Sequence, residues 1–127
     1  MDRMEWIKEN ELLTNKHLFV KYVIDGLSES FFEHGIKSLA SGYGFATDAG
    51  GCCIWESLDE ASQSQIQRFE GVEFEIPLPD SSTVLSYKDT LSYMCVACKN
   101  YCMRHPEAKE RLNKYLNQFA KLNGLSC

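Results

Sequence analysis

Three features of the chain predict an α+β fold, in which helices flank a small antiparallel sheet and the last two helices form a hairpin. Capping signals and helical spacing fill residues 30–41 and 86–124, and strict two-residue alternation fills 72–76. Between them, residues 42–55 interleave glycines with aromatics, which is turn chemistry joining short strands. A doubly wound parallel sheet would need strands between successive helices, and the pattern supplies none there. The 127 residues, 44% of them apolar, suffice for one core without metals or disulfides. No repeat and no linker rich in Pro, Gly or Ser divides them, so residues 1–127 are read as a single domain.

Each element follows from local chemistry. Residues 2–13 carry Met4, Ile7 and Leu12 among polar side chains, which predicts a short, weakly amphipathic helix. Lys16 to Ile24 is a dense apolar block that suits either a helix or a buried strand, and Asp25-Gly26 ends it. Ser30-Phe31-Phe32-Glu33 has the form of a capping box, so a helix is predicted from Phe31 to about Ser41. Phe32, Ile36 and Leu39 share its inner face, and Gly42 is placed to end it in a left-handed conformation. Val72-Glu73-Phe74-Glu75-Ile76 puts its apolar residues on one face and Glu73 and Glu75 on the other. Pro77 and Pro79 close that strand, and Thr83 to Leu85 supplies another. Ser86 with Asp89 opens a helix carrying Leu91, Met94, Cys95, Cys98, Tyr101 and Cys102. His105-Pro106-Glu107 breaks it, and a last helix follows with the stripe Leu112, Tyr115, Leu116, Phe119 and Leu122, ended by Gly124.

The groups able to do chemistry are better read as structural. Cys95, Cys98 and Cys102 suggest zinc, but one helix separates the first and last by about 10 Å of rise, too far to converge on sulfur–metal bonds of roughly 2.3 Å. They are read as small apolar fillers of a helix–helix seam. Cys52 and Cys53 are neighbours in an extended segment and point to opposite faces, so they do not ligate together. The glycines at 42–51 lack the Lys-Ser/Thr of a phosphate loop, and the three histidines fall in no acid–base spacing. No enzymatic activity, metal or cofactor is expected. Acids at the N-terminus, where a signal peptide carries bases, predict a cytoplasmic protein with reduced thiols.

Charge is the more informative signal. The formal charge of −5 disfavours nucleic acid and anionic membrane as partners. It is also uneven, being −3 over residues 1–55, −6 over 56–80 and +4 over 81–127. The commonest meaning of such a run is a solvated face. Here, however, Glu56, Asp59, Glu60, Glu70, Glu73 and Glu75 come with aromatic residues, and the alternation forces Glu73 and Glu75 to share a face away from the core. Those acids, with Tyr43 and Trp55 as aromatic anchors, form a candidate surface for a basic protein. The basic final third either offers a second contact surface or pairs with the acidic middle.

Several stretches taken together resemble the immunity proteins of contact-dependent growth inhibition systems, of the family that neutralises ribonuclease toxins. They are Phe31-Phe32-Glu33-His34-Gly35-Ile36, Gly42-Tyr43-Gly44-Phe45, Gly51-Cys52-Cys53, Phe69-Glu70-Gly71-Val72-Glu73-Phe74, Ser86-Tyr87 and His105-Pro106, spanning about residues 30 to 120. The resemblance implies a small bacterial cytosolic protein that binds the cognate toxin's C-terminal ribonuclease domain and blocks it. A ribonuclease holds RNA phosphates on a cationic surface, so an acidic face can compete by charge mimicry. The alternative from another class is a cytosolic regulatory or adaptor domain for a different basic protein, which genomic adjacency to a large secreted toxin would separate. A thiol-dependent redox enzyme is a third, which loss of function on replacing the cysteines would reveal.

Overall fold

The structure is a computed structural model and describes residues 5–125. Four antiparallel strands lie in chain order, β1 (Phe45–Thr47), β2 (Gly50–Ile54), β3 (Val72–Glu75) and β4 (Ser82–Leu85). Around them run α1 (Leu18–Asp25), α2 (Phe32–Ala40), the short α3 (Glu60–Gln65), α4 (Tyr87–Arg104) and α5 (Lys109–Leu122). This is the predicted α+β domain, including its C-terminal helical pair.

Register decides which face of the sheet is buried. Phe45, Cys52, Phe74 and Thr83 align across the four strands, as do Ile54, Val72 and Leu85 across three. Their face lies against α1, while α2 packs on α5 and α5 on α4. The opposite face carries Ala46, Cys53, Glu73, Glu75 and Val84. Val84 is 44% exposed there and Glu75 is exposed, so that side is open to solvent at these positions.

Local signals succeeded where the backbone itself carries them. Gly42 has φ +87°, and the bonds Gly42 N to Leu39 O and Tyr43 N to Ser38 O close α2 in a Schellman motif. Gly44 then lets the chain cross β2, because a Cβ there would lie 1.8 Å from Cys52 O. Ser86 Oγ accepts from Asp89 N and starts α4 as predicted. The apolar block after Lys16 resolves as helix, and Pro106 opens the 3₁₀ turn that leads into α5.

Four expectations are corrected. The helix predicted at 2–13 falls partly on residues outside the described ones. Where described, it is irregular apart from a 3₁₀ turn at Glu9–Glu11. Trp6 N and Ile7 N donate to Asp25 Oδ1 at 2.9 and 3.1 Å, so these donors serve a tertiary contact instead of a helical ladder. The capping box before α2 does not form. Ser30 Oγ meets Ser28 Oγ, and the Glu33 carboxylate accepts from Arg111 and Tyr101 instead. Leu122 is 56% exposed and leaves the α5 stripe, because Ala120 takes the buried position beside Phe119. Cys95 is also exposed and Cys102 half-buried, so only Cys98 is fully buried as a seam filler.

The N-terminal segment is locked down by polar groups. The Trp6 indole Nε1 donates to Leu27 O at 2.7 Å while its ring packs against Phe32 and Tyr101. Lys21, buried beneath the segment, donates to Asp25, Glu5 and Ile7 O. Burial pulls the Lys21 pKa down, but the bonds to Asp25 and Glu5 raise it further, so the ammonium stays charged.

Candidate protein-binding face

The central acids occupy two connected places. Glu73 and Glu75 stand on the open sheet face, Glu75 exposed and Glu73 half-buried beside Cys53, whose thiol lies 3.8 Å from Glu73 Oε1. A recess of about 200 Å³ lies there, lined in part by Ala46, Gly51 and both glutamates. The second place is one end of the sheet. Ile54, Val72 and Leu85 are aligned, so Trp55 and Glu56 after β2, Glu70 before β3 and Tyr87 after β4 converge at that end. Tyr87 Oη reaches Glu56 Oε2 at 3.5 Å. Burial, then the charges of Glu56 and Glu70, raise the Tyr87 pKa. Tyr43 leads into β1 and is 59% exposed, as a contact residue needs to be.

Trp55 is less free than the sequence implied. It is half-buried, Arg68 sits 5.1 Å above its ring, and Arg68 Nη2 lies 3.8 Å from Glu56 Oε1. Its indole Nε1 is buried with no hydrogen-bond partner among the described residues. Asp59 and Glu60 lie apart at the start of α3. Asp59 caps that helix by accepting from Ser62 N at 2.7 Å, a bond that lowers its pKa. No hydrogen bond or ion pair among the described residues ties Asp59 or Glu60 to Glu73 or Glu75.

No ion pair among the described residues joins a base of the final third to this face. Arg111 pairs with Glu33, and Arg104 and His105 with Glu29. These contacts tie α4 and α5 to the region around α2, on the helical side of the molecule. Arg111, by hydrogen bond and then by charge, holds Glu33 below the usual carboxylate range despite partial burial. Two residues of the site escaped sequence reasoning. Tyr87 enters the sequence reading only within the Ser86-Tyr87 stretch of the family resemblance. Arg68 enters it only as the single base counted among the seven acids of residues 56–80.

The thiols of Cys52, Cys53 and Cys98 are poor nucleophiles. Burial pushes Cys52 up to about 12, and burial with the Glu73 charge pushes Cys53 up to about 11. Burial raises Cys98 as well. Cys95 and Cys102, with Cys98, Met103 and Leu116, line an open groove of about 760 Å³ between α4 and α5. No group of three His, Cys, Asp or Glu side chains among the described residues is placed to hold a metal. No described helix is long and apolar enough to cross a membrane.

No curated protein is significantly similar to the chain. A family profile described as CDI immunity protein, however, matches residues 12–116. That span takes in α1 to α4, all four strands, the first half of α5 and every side chain of the acidic face. The chain therefore belongs to the CDI immunity protein family.

Proposed function

We propose that this immunity protein acts in the bacterial cytoplasm. It binds the C-terminal ribonuclease domain of its cognate toxin and covers that domain's basic RNA-binding surface with the open sheet face and the adjoining sheet end. Glu73 and Glu75 supply the charge on the face, and Glu56, Glu70, Tyr43 and Trp55 supply charge and aromatic contact at the end. Asp59 and Glu60 extend the field from α3. The single observation that supports this reading best is that Glu73 and Glu75 stand on the sheet face turned away from the core, while Arg104 and Arg111 of the final third pair with Glu29 and Glu33 on another side.

Charge of this kind speeds encounter and fixes orientation, while affinity comes from a few desolvated anchors. RNA cleavage by the purified toxin domain should stop when this protein is added at equimolar concentration. Charge reversal by Glu73→Lys with Glu75→Lys should slow association at low ionic strength. Full protection by the reversed variant, with unchanged association kinetics, would remove the sheet face from the interface. Binding to the toxin without any effect of its active site on RNA would reject the ribonuclease reading.

A further inference from the structure

We infer that the Trp55–Glu56 corner is a guanidinium site which the chain's own Arg68 fills in the free protein, and which an arginine of the toxin takes over on binding. The second clause rests on the proposed binding face; the first does not.

The corner already shows the chemistry that such a ligand needs. A guanidinium is a flat, weakly hydrated cation that stacks on an aromatic face and pairs with a carboxylate at the same time. Arg68 does both, 5.1 Å over the Trp55 ring and 3.8 Å from Glu56 Oε1. The contact is loose by the standards of a structural pair. Arg68 and Glu56 side chains are 64% and 53% exposed, and 3.8 Å lies outside hydrogen-bond range. Arg68 lies in the irregular segment between α3 and β3, with Ile66 and Gln67 exposed beside it. Tyr87 and Glu70 border the same end of the sheet and add a phenol and a second carboxylate within reach of a cation.

An intramolecular cation held this weakly is a stand-in. It shields Trp55 and part of the Glu56 charge until a better-placed cation displaces it. Removing it should therefore strengthen binding of an external guanidinium, whereas removing a true interface contact weakens binding.

The test uses the full chain and its Arg68→Ala variant, titrated with N-acetyl-arginine amide and, in parallel, N-acetyl-lysine amide. Binding is read from the Trp55 indole resonance, with that of Trp6 as internal reference. The expected result is a Trp55 shift that saturates at lower arginine concentration in Arg68→Ala than in the parent, with lysine weaker. In the Arg68→Ala background, Glu56→Gln should abolish the gain without changing the thermal midpoint. A Trp55 resonance that ignores arginine in Arg68→Ala overturns the site.

The toxin arm judges the exchange. Arg68→Ala should bind the toxin domain roughly three- to tenfold more tightly, the range expected for releasing one exposed cation–π contact and ion pair. Equal or weaker toxin binding overturns the exchange. If Trp55→Leu and the Glu73/Glu75 reversal also leave toxin binding intact, the proposed face fails, while the arginine titration still decides whether the corner is a guanidinium site.

Discussion

The two tryptophans of this chain show how differently one residue type is used. Trp6 is 1% exposed, packs on Phe32 and Tyr101, and donates its indole N–H to Leu27 O. Trp55 is half-buried under an exposed arginine and has no acceptor for its indole N–H among the described residues. Every polar bond around Trp6 serves the fold. Lys21, Asp25, Asn100 and the backbone of Trp6 and Ile7 satisfy one another and clamp the N-terminal segment onto α1 and α4. The Trp55 corner keeps its charges outward and its contacts loose, as a binding surface does before its partner arrives. Full satisfaction marks a structural residue, and incomplete satisfaction at an exposed edge marks a candidate for recognition.

The comparison breaks most readily at the clamp. Trp6→Ala should cost about 3–5 kcal/mol in denaturant unfolding, the range for emptying a fully buried aromatic site, while Trp55→Leu should cost about 1 kcal/mol. Equal losses at the two positions would erase the distinction. Asp25→Ala comes next, with an expected loss of about 3 kcal/mol, because it leaves the buried Lys21 ammonium with only the more exposed Glu5 as counter-charge and leaves Trp6 N and Ile7 N without their acceptor. A second change, Lys21→Met, should recover part of that loss by removing the poorly compensated charge, and thermal melts of both variants will show whether it does.

At the other region the readout is binding. Trp55→Leu should raise the toxin Kd by roughly thirtyfold if it anchors the interface, corresponding to a hot spot of about 2 kcal/mol. Reversal of Glu73 and Glu75 should lower the association rate about tenfold at low salt and much less at high salt, since steering by charge is screened. Stopped-flow measurements at two ionic strengths separate that effect from a loss of anchoring, which appears in the dissociation rate.

The smallest effect concerns His105, which stacks on Tyr101 at the rim of the Trp6 cluster and meets Glu29 Oε1 at 2.6 Å. The bond to Glu29, more than the opposing desolvation, raises its pKa above the ordinary value of 6.5. A raised folded-state pKa means that its contribution to stability is complete below 6.5 and fades as pH rises through the folded value. The thermal midpoint should therefore fall slightly between pH 6 and pH 8.5 in the parent. His105→Gln should flatten that slope, and an unchanged slope would show that the Glu29 pair does not couple to folding.

Legibility of the fold in the sequence followed the range of the interaction involved. The β3 alternation, the Ser86 cap, the Gly42 stop and the Pro106 break all report on neighbours within a few residues, and each was placed correctly. The Ser30 capping box failed although its residues are right, because Glu33 finds a stronger partner in Arg111, 78 positions away. The 2–13 helix failed for the same reason, since Asp25 takes the donors of Trp6 and Ile7. The chemistry of the candidate site was partly visible, because alternation alone puts Glu73 and Glu75 outward. Arg68 over Trp55, and the gathering of Glu56 and Glu70 around Tyr87, depend on strand order and register.

By itself the amino-acid order determined an α+β chain with an acidic centre, a basic end and one strand whose acids avoid the core, because period and composition are properties of the chain before it folds. Only the tertiary structure decided that Arg104 and Arg111 pair with Glu29 and Glu33, and that one tryptophan lies under an exposed arginine beside the central carboxylates. Ion pairs and ring contacts form between whichever side chains folding brings within a few ångströms, and that proximity is set by how the helices pack on the sheet.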